Sequence, residues 1–309
     1  MYDVSIPNGK LSITSNQGDI SMHNIACDTW QFSTNSGDIY LSDATLTQGD
    51  LLLTTQGDIS VYDVMLSDGG IFLHTETGDI RVHDVLFNDF EFKTVNGDIS
   101  LNGFHIIDKD LSLKTTGDIV VYEGVLENSE LGIDTSEGDI IIGNIHLDNQ
   151  DLILSTMGNI IVYDTNTIVT ATSSEGDIAI ANTTGISDIS TEKGDITMEV
   201  YAIQKDVIVT TQRGSIELFF DPACNIAVNA QVHATIGGIF LLSLRSILSL
   251  GTKSFKSLDG TIGSGGYTLN ARIGNEAASE FLGGFIYLKK IRQPLFPLSL
   301  ISDEIVDYS

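Results

Sequence analysis

The chain has 309 residues, 42 of them acidic and 15 basic, for a formal net charge of −27. Phosphate-backbone binding needs clustered lysine and arginine, so nucleic acid is excluded as a partner class. A hydrophobic fraction of 42% excludes a disordered acidic tail, and two cysteines, Cys27 and Cys224, cannot staple a disulfide-dense scaffold.

The charge is uneven. Residues 1–200 hold 33 acidic and 6 basic side chains, whereas residues 201–309 hold 9 of each. An acidic block that attracts cations or basic partners is therefore followed by a neutral, more apolar one. Residues 1–20 show neither the basic start nor the apolar stretch of a secretory leader, so no signal peptide is visible. The abrupt start points to upstream sequence, such as a leader or an anchor, outside the chain. No run reaches the ~18 apolar residues of a membrane-spanning helix. The nearest, residues 236–251, is shorter and carries Arg245, so no transmembrane segment is expected.

From Gly18 onward the chain repeats. Gly-Asp-Ile recurs at Gly18, Gly37, Gly57, Gly78, Gly97, Gly117, Gly138, Gly176 and Gly194, with in-phase variants at Gly158 and Gly214. Successive glycines lie 18 to 21 residues apart, which is the signature of a solenoid. Each unit reads alike. After Gly57, Ile59 and Val61 alternate with Ser60 and Tyr62; then come Val64 and Leu66, then Ile71 and Leu73 before Thr75. Period-two alternation of β-branched residues predicts short half-buried strands, with isoleucine and valine stacked on their equivalents ~4.8 Å away in the next coil. Such a coil buries its apolar face only against its neighbours.

Two corners are expected in each coil. The Thr-x-Gly-Asp or Thr-x-x-Gly-Asp phrase predicts one, with glycine supplying a positive φ and the aspartate accepting nearby backbone N–H groups. The second falls at Asn24, Asp43, Asp63, Asp84, Gly103, Glu123, Asn144, Asp164 and Asn182. After Gly214 the pattern decays. Gly237-Gly238-Ile239, Asp259-Gly260-Thr261-Ile262 and Gly283-Gly284-Phe285 read as degenerate coils. Residues 293–309, broken by Pro294 and Pro297, read as a tail or cap.

The expected fold is all-β: a single-stranded β-helix solenoid of about twelve to fourteen coils of ~20 residues, wound right-handed. Regular coils should span residues 10–220 and degenerate ones 221–292. The repeated Thr-x-x-Gly-Asp-Ile phrase resembles an adhesin-type family of β-strand-repeat domains over roughly residues 10–290. The resemblance implies a β-helix at the cell surface or outside the cell, and it brings no catalytic residues with it.

Several constellations are candidates for function. The aspartates Asp19, Asp38, Asp58, Asp79, Asp98, Asp118 and Asp139 should stack into one ladder. Corner N–H groups and salt can offset their repulsion; alternatively Ca²⁺ binds between coils, with Asp58, Asp79, Asp98, Asp118 and Asp139 as candidate ligands. No other cofactor is indicated. Outward positions of the Gly-Asp-Ile strand are polar in the early coils, for example Ser60, Tyr62, Arg81 and His83, and apolar in the middle ones. Val120, Tyr122, Ile141, Ile161 and Tyr163 then form a stripe suited to a protein or glycan partner, or to homo-oligomer formation. The six histidines are scattered and read as surface residues. A polysaccharide lyase or hydrolase would need a place where the repeat is broken by a basic residue or a carboxylate pair, and residues 1–200 offer none. No catalytic residue is assigned. The function expected is a non-catalytic adhesin-like binding or spacer module. An intracellular, self-associating scaffold of the same fold is the alternative, and a carbohydrate-active enzyme the least favoured reading.

Overall fold

A computed structural model describes residues 4–200 apart from 47, 68, 87 and 88, then 206–220, and five further strands at 226–232, 238–243, 257–262, 267–273 and 285–287. The described residues form 24 β-strands and no helix. They stack as a parallel β-solenoid of about ten turns at ~20 residues per turn.

Each coil comprises three inward-facing runs. In the coil of Ile59–Leu66 and Gly70–Thr75, the buried side chains are Ile59 and Val61, then Val64 and Leu66, then Ile71, Leu73 and Thr75. The alternation skips a step between Val61 and Val64, where Asp63 adopts a φ of 52°. One left-handed residue turns the chain and resets the inward phase, so both flanking runs face one core. Every residue expected at this second corner, from Asn24 to Asn182, has a positive φ. Short polar side chains and glycine tolerate that conformation best.

Stacking is in register. Ile20, Ile39, Ile59, Ile80, Ile99 and Ile119 lie on one another in sequence. The column continues through Ile140, Ile160, Ile178, Ile196 and Ile216. None of these side chains is more than 5% exposed. Burying such a side chain is worth ~2 kcal/mol relative to leaving it in water. The coil-to-coil isoleucine column is therefore a main source of cohesion.

The described residues make about ten turns, where twelve to fourteen coils are expected with the degenerate ones included. Ile239 still sits in register on Ile216, and Ile286 on Ile239. Elsewhere beyond residue 220 the strands leave chain order. Tyr267–Ile273 pairs with both Val207–Thr211 and Ile226–Val232. Ser257–Ile262 runs antiparallel to Ile226–Val232, so Asp259–Ile262 does not form a degenerate coil. This region lacks the threonine–glycine–aspartate corner, and with it the device that returns the chain to the start of the next coil. Residues 293–309 lie outside the described residues.

Candidate functional site

The Gly-Asp-Ile corner is built from three side chains that reach into the adjacent coil. The aspartate is the first. Asp19 Oδ1 accepts the amide N–H of Asp38 at 3.0 Å, and Asp38 Oδ1 accepts that of Asp58 at 2.9 Å. The chain of bonds continues through Asp79, Asp98, Asp118 and Asp139. It passes through Asn159, whose side-chain oxygen accepts the Asp177 amide at 2.8 Å, and ends on Ser215. The threonine is the second. Buried Thr94 donates to the Gly78 carbonyl at 2.9 Å and accepts the Gly97 amide at 3.1 Å. Thr75, Thr135 and Thr191 do the same at their own corners. Each hydroxyl thus satisfies one carbonyl below and one N–H at its own level, groups that are costly to leave unpaired when buried.

The glycine is the third, and its role differs from the expected one. Among the Gly-Asp-Ile glycines only Gly18 has a positive φ, at 105°. The others are required by close approach. A Cβ on Gly97 would lie 1.9 Å from the Gly78 carbonyl oxygen, and one on Gly78 would lie 2.1 Å from that of Gly57. At the shorter Thr-x-Gly corners the nearest atom is the aspartate of the coil below: 2.5 Å from Gly57 to Asp38 Oδ1, and 2.3 Å from Gly117 to Asp98 Oδ1. Glycine leaves room for the stack, and the positive φ belongs to the second corner.

The ladder does not assemble the proposed calcium ligands into a coordinating group. Among the described residues no set of three or more His, Cys, Asp or Glu side chains is placed to hold a metal ion. One oxygen of each of Asp58, Asp79, Asp98, Asp118 and Asp139 is already engaged by the next coil's amide. A cation of the chain's own serves part of the ladder: Arg81 donates from Nη1 to Asp58 Oδ2 at 2.9 Å and from Nη2 to Asp79 Oδ2 at 2.6 Å. Burial would raise the Asp58 pKa, but the Asp79 amide and the Arg81 guanidinium outweigh it and hold the carboxyl below its usual range. Asp98 is shifted upward, first by burial and then by the charges of Asp79 and Asp118, against the pull of the Asp118 amide and Arg81.

The outward row of the Gly-Asp-Ile strand is brought together as the sequence suggests. Val120 lies beside Ile141 and Ile141 beside Ile161, while Tyr122, Gly143 and Tyr163 form the neighbouring column. The rings of Tyr122 and Tyr163 are 6.1 Å apart. They meet across Gly143, where a Cβ would lie 2.5 Å from the Tyr163 ring. Burial, and then a hydrogen bond with Tyr122, raise the Tyr163 pKa. These residues are half-buried because each covers the next.

Two features were missed in the sequence. His23, Tyr40, Tyr62 and His83 form a run of rings with centroids 5.2, 5.5 and 6.0 Å apart. Below it lies a groove of 840 Å³ along the first coils. Ladder aspartates line one rim, Asp43 and Asp63 the other, and Arg81 one end. The signal was present, since Tyr40 occupies the outward column of Ser21 and Ser60. The second is an apolar spot on another face, where Met65 (57% exposed) stacks on Leu86. Four histidines have polar neighbours: His23 with Ser42, His83 with Asp84, His105 with Glu127 and His146 with Asn166. His233 lies outside the described residues.

Fold and site together define a β-solenoid repeat module whose polar residues are largely committed to its own corners. Residues 3–122, 54–178 and 108–273 each match the Toastrack DUF4097 family, and together they span most of the chain. The chain belongs to that family, a β-repeat domain of unknown function; the match carries the β-repeat part of the resemblance and not its adhesin label. No curated protein and no solved structure matches the chain.

Proposed function

We propose that the chain is a non-catalytic binding or spacer module of adhesin type, whose rod presents the outward Gly-Asp-Ile row to a protein or glycan. One observation carries this reading. The repeat's carboxylates, hydroxyls and glycines serve the stack, while the outward row beside them varies from coil to coil and forms continuous surfaces. The Val120–Ile141–Ile161 column with Tyr122 and Tyr163 is the apolar part of that row, and an apolar patch of this kind suits a partner. The groove carboxylates keep the repeat register, and the ladder ones have an oxygen engaged by an amide. These carboxylates therefore belong to the repeat and are not a pair set apart from it, such as a glycosidase would use.

The test compares adherence of the purified protein and its Ile141→Lys/Ile161→Lys variant to intact source cells, alongside protease shaving of those cells. Adherence lost in the variant, with the native chain released by shaving, supports the reading. Equal adherence removes the stripe as the partner surface. A chain protected until lysis overturns the adhesin-type role in favour of an internal scaffold.

A further inference from the structure

We infer that the groove over the first coils is a docking site for an extended, arginine-rich peptide segment of a partner protein. The inference rests on the reading of the Gly-Asp-Ile face as a binding surface, but it concerns a different stretch of that face from the apolar stripe.

The chain itself supplies the template. Arg81 bridges two consecutive rungs through their Oδ2 atoms, while both Oδ1 atoms stay on ladder amides. Asp19 and Asp38 form the same arrangement lower in the stack, with Asp19 Oδ1 on the Asp38 amide and Asp38 Oδ1 on the Asp58 amide. Among the described residues their Oδ2 atoms accept no hydrogen bond. The residue that stands two after Asp38, as Arg81 stands two after Asp79, is Tyr40. A visiting guanidinium can therefore bridge Asp19 and Asp38 as Arg81 bridges Asp58 and Asp79. Beside it are the rings of Tyr40 and Tyr62, which favour a cation over their faces.

Charge complementarity selects the occupant. The groove is lined by five aspartates against one arginine, a formal net of −4. Asp43 and Asp63 on the far rim can meet a second cationic side chain, so the site suits a peptide with more than one arginine. Ser21 and Ser60 line the groove between the rims and can serve the backbone of an extended segment, whereas the buried Ser42 hydroxyl is held by His23 and Asp43. A neutral glycan could also stack on tyrosine, but it would leave this charge unanswered. Arginine should be preferred to lysine because its planar fork can reach two carboxylates at once.

The test titrates the full chain with a fluorescein-labelled nonapeptide of alternating arginine and glycine, read by anisotropy at about 0.15 M salt. Lysine–glycine and glutamate–glycine peptides and a neutral cellotetraose serve as comparisons. The informative variant is Asp19→Asn/Asp38→Asn. Asn159 already serves as a rung, so asparagine keeps the ladder and removes only charge. The control is Asp139→Asn/Asp177→Asn, which removes equal charge outside the groove. The expected result is binding of the arginine peptide, weakened about tenfold or more by Asp19→Asn/Asp38→Asn and by Tyr40→Ala, with the control near wild type. Equal losses in control and groove variants would mean bulk acidity alone and overturn the inference. So would no peptide binding, or binding of cellotetraose only. If the groove is silent while Ile141→Lys/Ile161→Lys abolishes adherence, this inference fails and the binding-module reading stands.

Discussion

Replacing Gly97 by alanine tests why the corner needs glycine. The added Cβ would stand 1.9 Å from the Gly78 carbonyl oxygen, 2.4 Å from its carbon and 3.0 Å from the Asp79 nitrogen. Ordinary close C···O contacts lie near ~3.3 Å, so the overlap is roughly 1.4 Å against backbone that no rotamer change can clear. The two coils must part locally. The bonds at risk are the Thr94 hydroxyl to Gly78, the Thr115 hydroxyl to Gly97, and the Asp98 amide to Asp79. At ~1 kcal/mol each, with further cost for groups left unpaired in buried positions, the loss should be about 3–5 kcal/mol. Two other glycines calibrate the result. Gly18 has nothing within 4 Å but a φ of +105°, so Gly18→Ala should cost about 1–2 kcal/mol through conformation alone. Gly132 has neither a near neighbour nor a positive φ, so Gly132→Ala should be neutral or stabilising by about 0.5 kcal/mol. Urea unfolding followed by far-ultraviolet circular dichroism gives the order. If Gly97→Ala costs no more than Gly18→Ala, close coil-to-coil approach is not what selects glycine.

The remaining predictions address the other corner groups. Thr94→Val keeps shape but strands the Gly78 carbonyl and the Gly97 amide, and it should lower stability by about 2–3 kcal/mol in the same urea assay; Thr94→Ser should recover most of that. Glu123 is the one glutamate among the left-handed second-corner residues, at φ 51°. Glu123→Asn should therefore raise stability by about 0.5–1 kcal/mol, and a loss would contradict the reading of that corner. Arg81→Gln removes the cation shared by Asp58 and Asp79; both pairs are partly exposed, so about 1 kcal/mol is expected near pH 7. Asp58 has a lowered folded pKa. Its contribution is thus complete above the ordinary carboxylate pKa and lost as pH falls through the folded value. Wild type and Arg81→Gln should converge in unfolding midpoint in acid, and a gap that persists below pH 2 would refute the assignment.

Much of the stack could be read from the sequence because it is local. The in-phase isoleucines and the αL corner from Asn24 to Asn182 follow from alternation and from which side chains tolerate a left-handed turn. The role of glycine did not follow, because a positive φ and a crowded neighbour select the same residue, and only the adjacent coil distinguishes them. The hydroxyl ladder was visible as a recurrent threonine but not as a bond, since its acceptor lies 15 to 18 residues away in sequence. The groove escaped notice because it depends on Tyr40 and Tyr62 standing on different outward columns of adjacent coils. Beyond residue 220 the corner phrase is absent, and the insertion of Tyr267–Ile273 between earlier strands is a long-range pairing that no local pattern specifies.

The aspartate column shows why so acidic a rod can hold together. Two unit charges one strand spacing apart repel by ~0.9 kcal/mol in water, and by more beside protein. A hydrogen bond from an amide to a charged carboxylate is worth ~1.5–3 kcal/mol. Where water screens the carboxylates, each rung therefore gains more from the next coil's N–H than it loses to the next coil's charge, and there the ladder favours stacking. The margin is narrow where solvent is partly excluded. Asp98, with Asp79 on one side and Asp118 on the other, is pushed upward, whereas Asp58, which Arg81 contacts, is held down. The break at Asn159 passes the hydrogen bond on without adding charge. Arg81 and Asn159 thus relieve the column by opposite means, one by neutralising charge and the other by omitting it. Asp19 and Asp38 have neither relief, and they line the same groove as Tyr40 and Tyr62. A cation bridging them would strengthen the rod, so added arginine peptide should raise the unfolding midpoint of the native chain more than that of Asp19→Asn/Asp38→Asn.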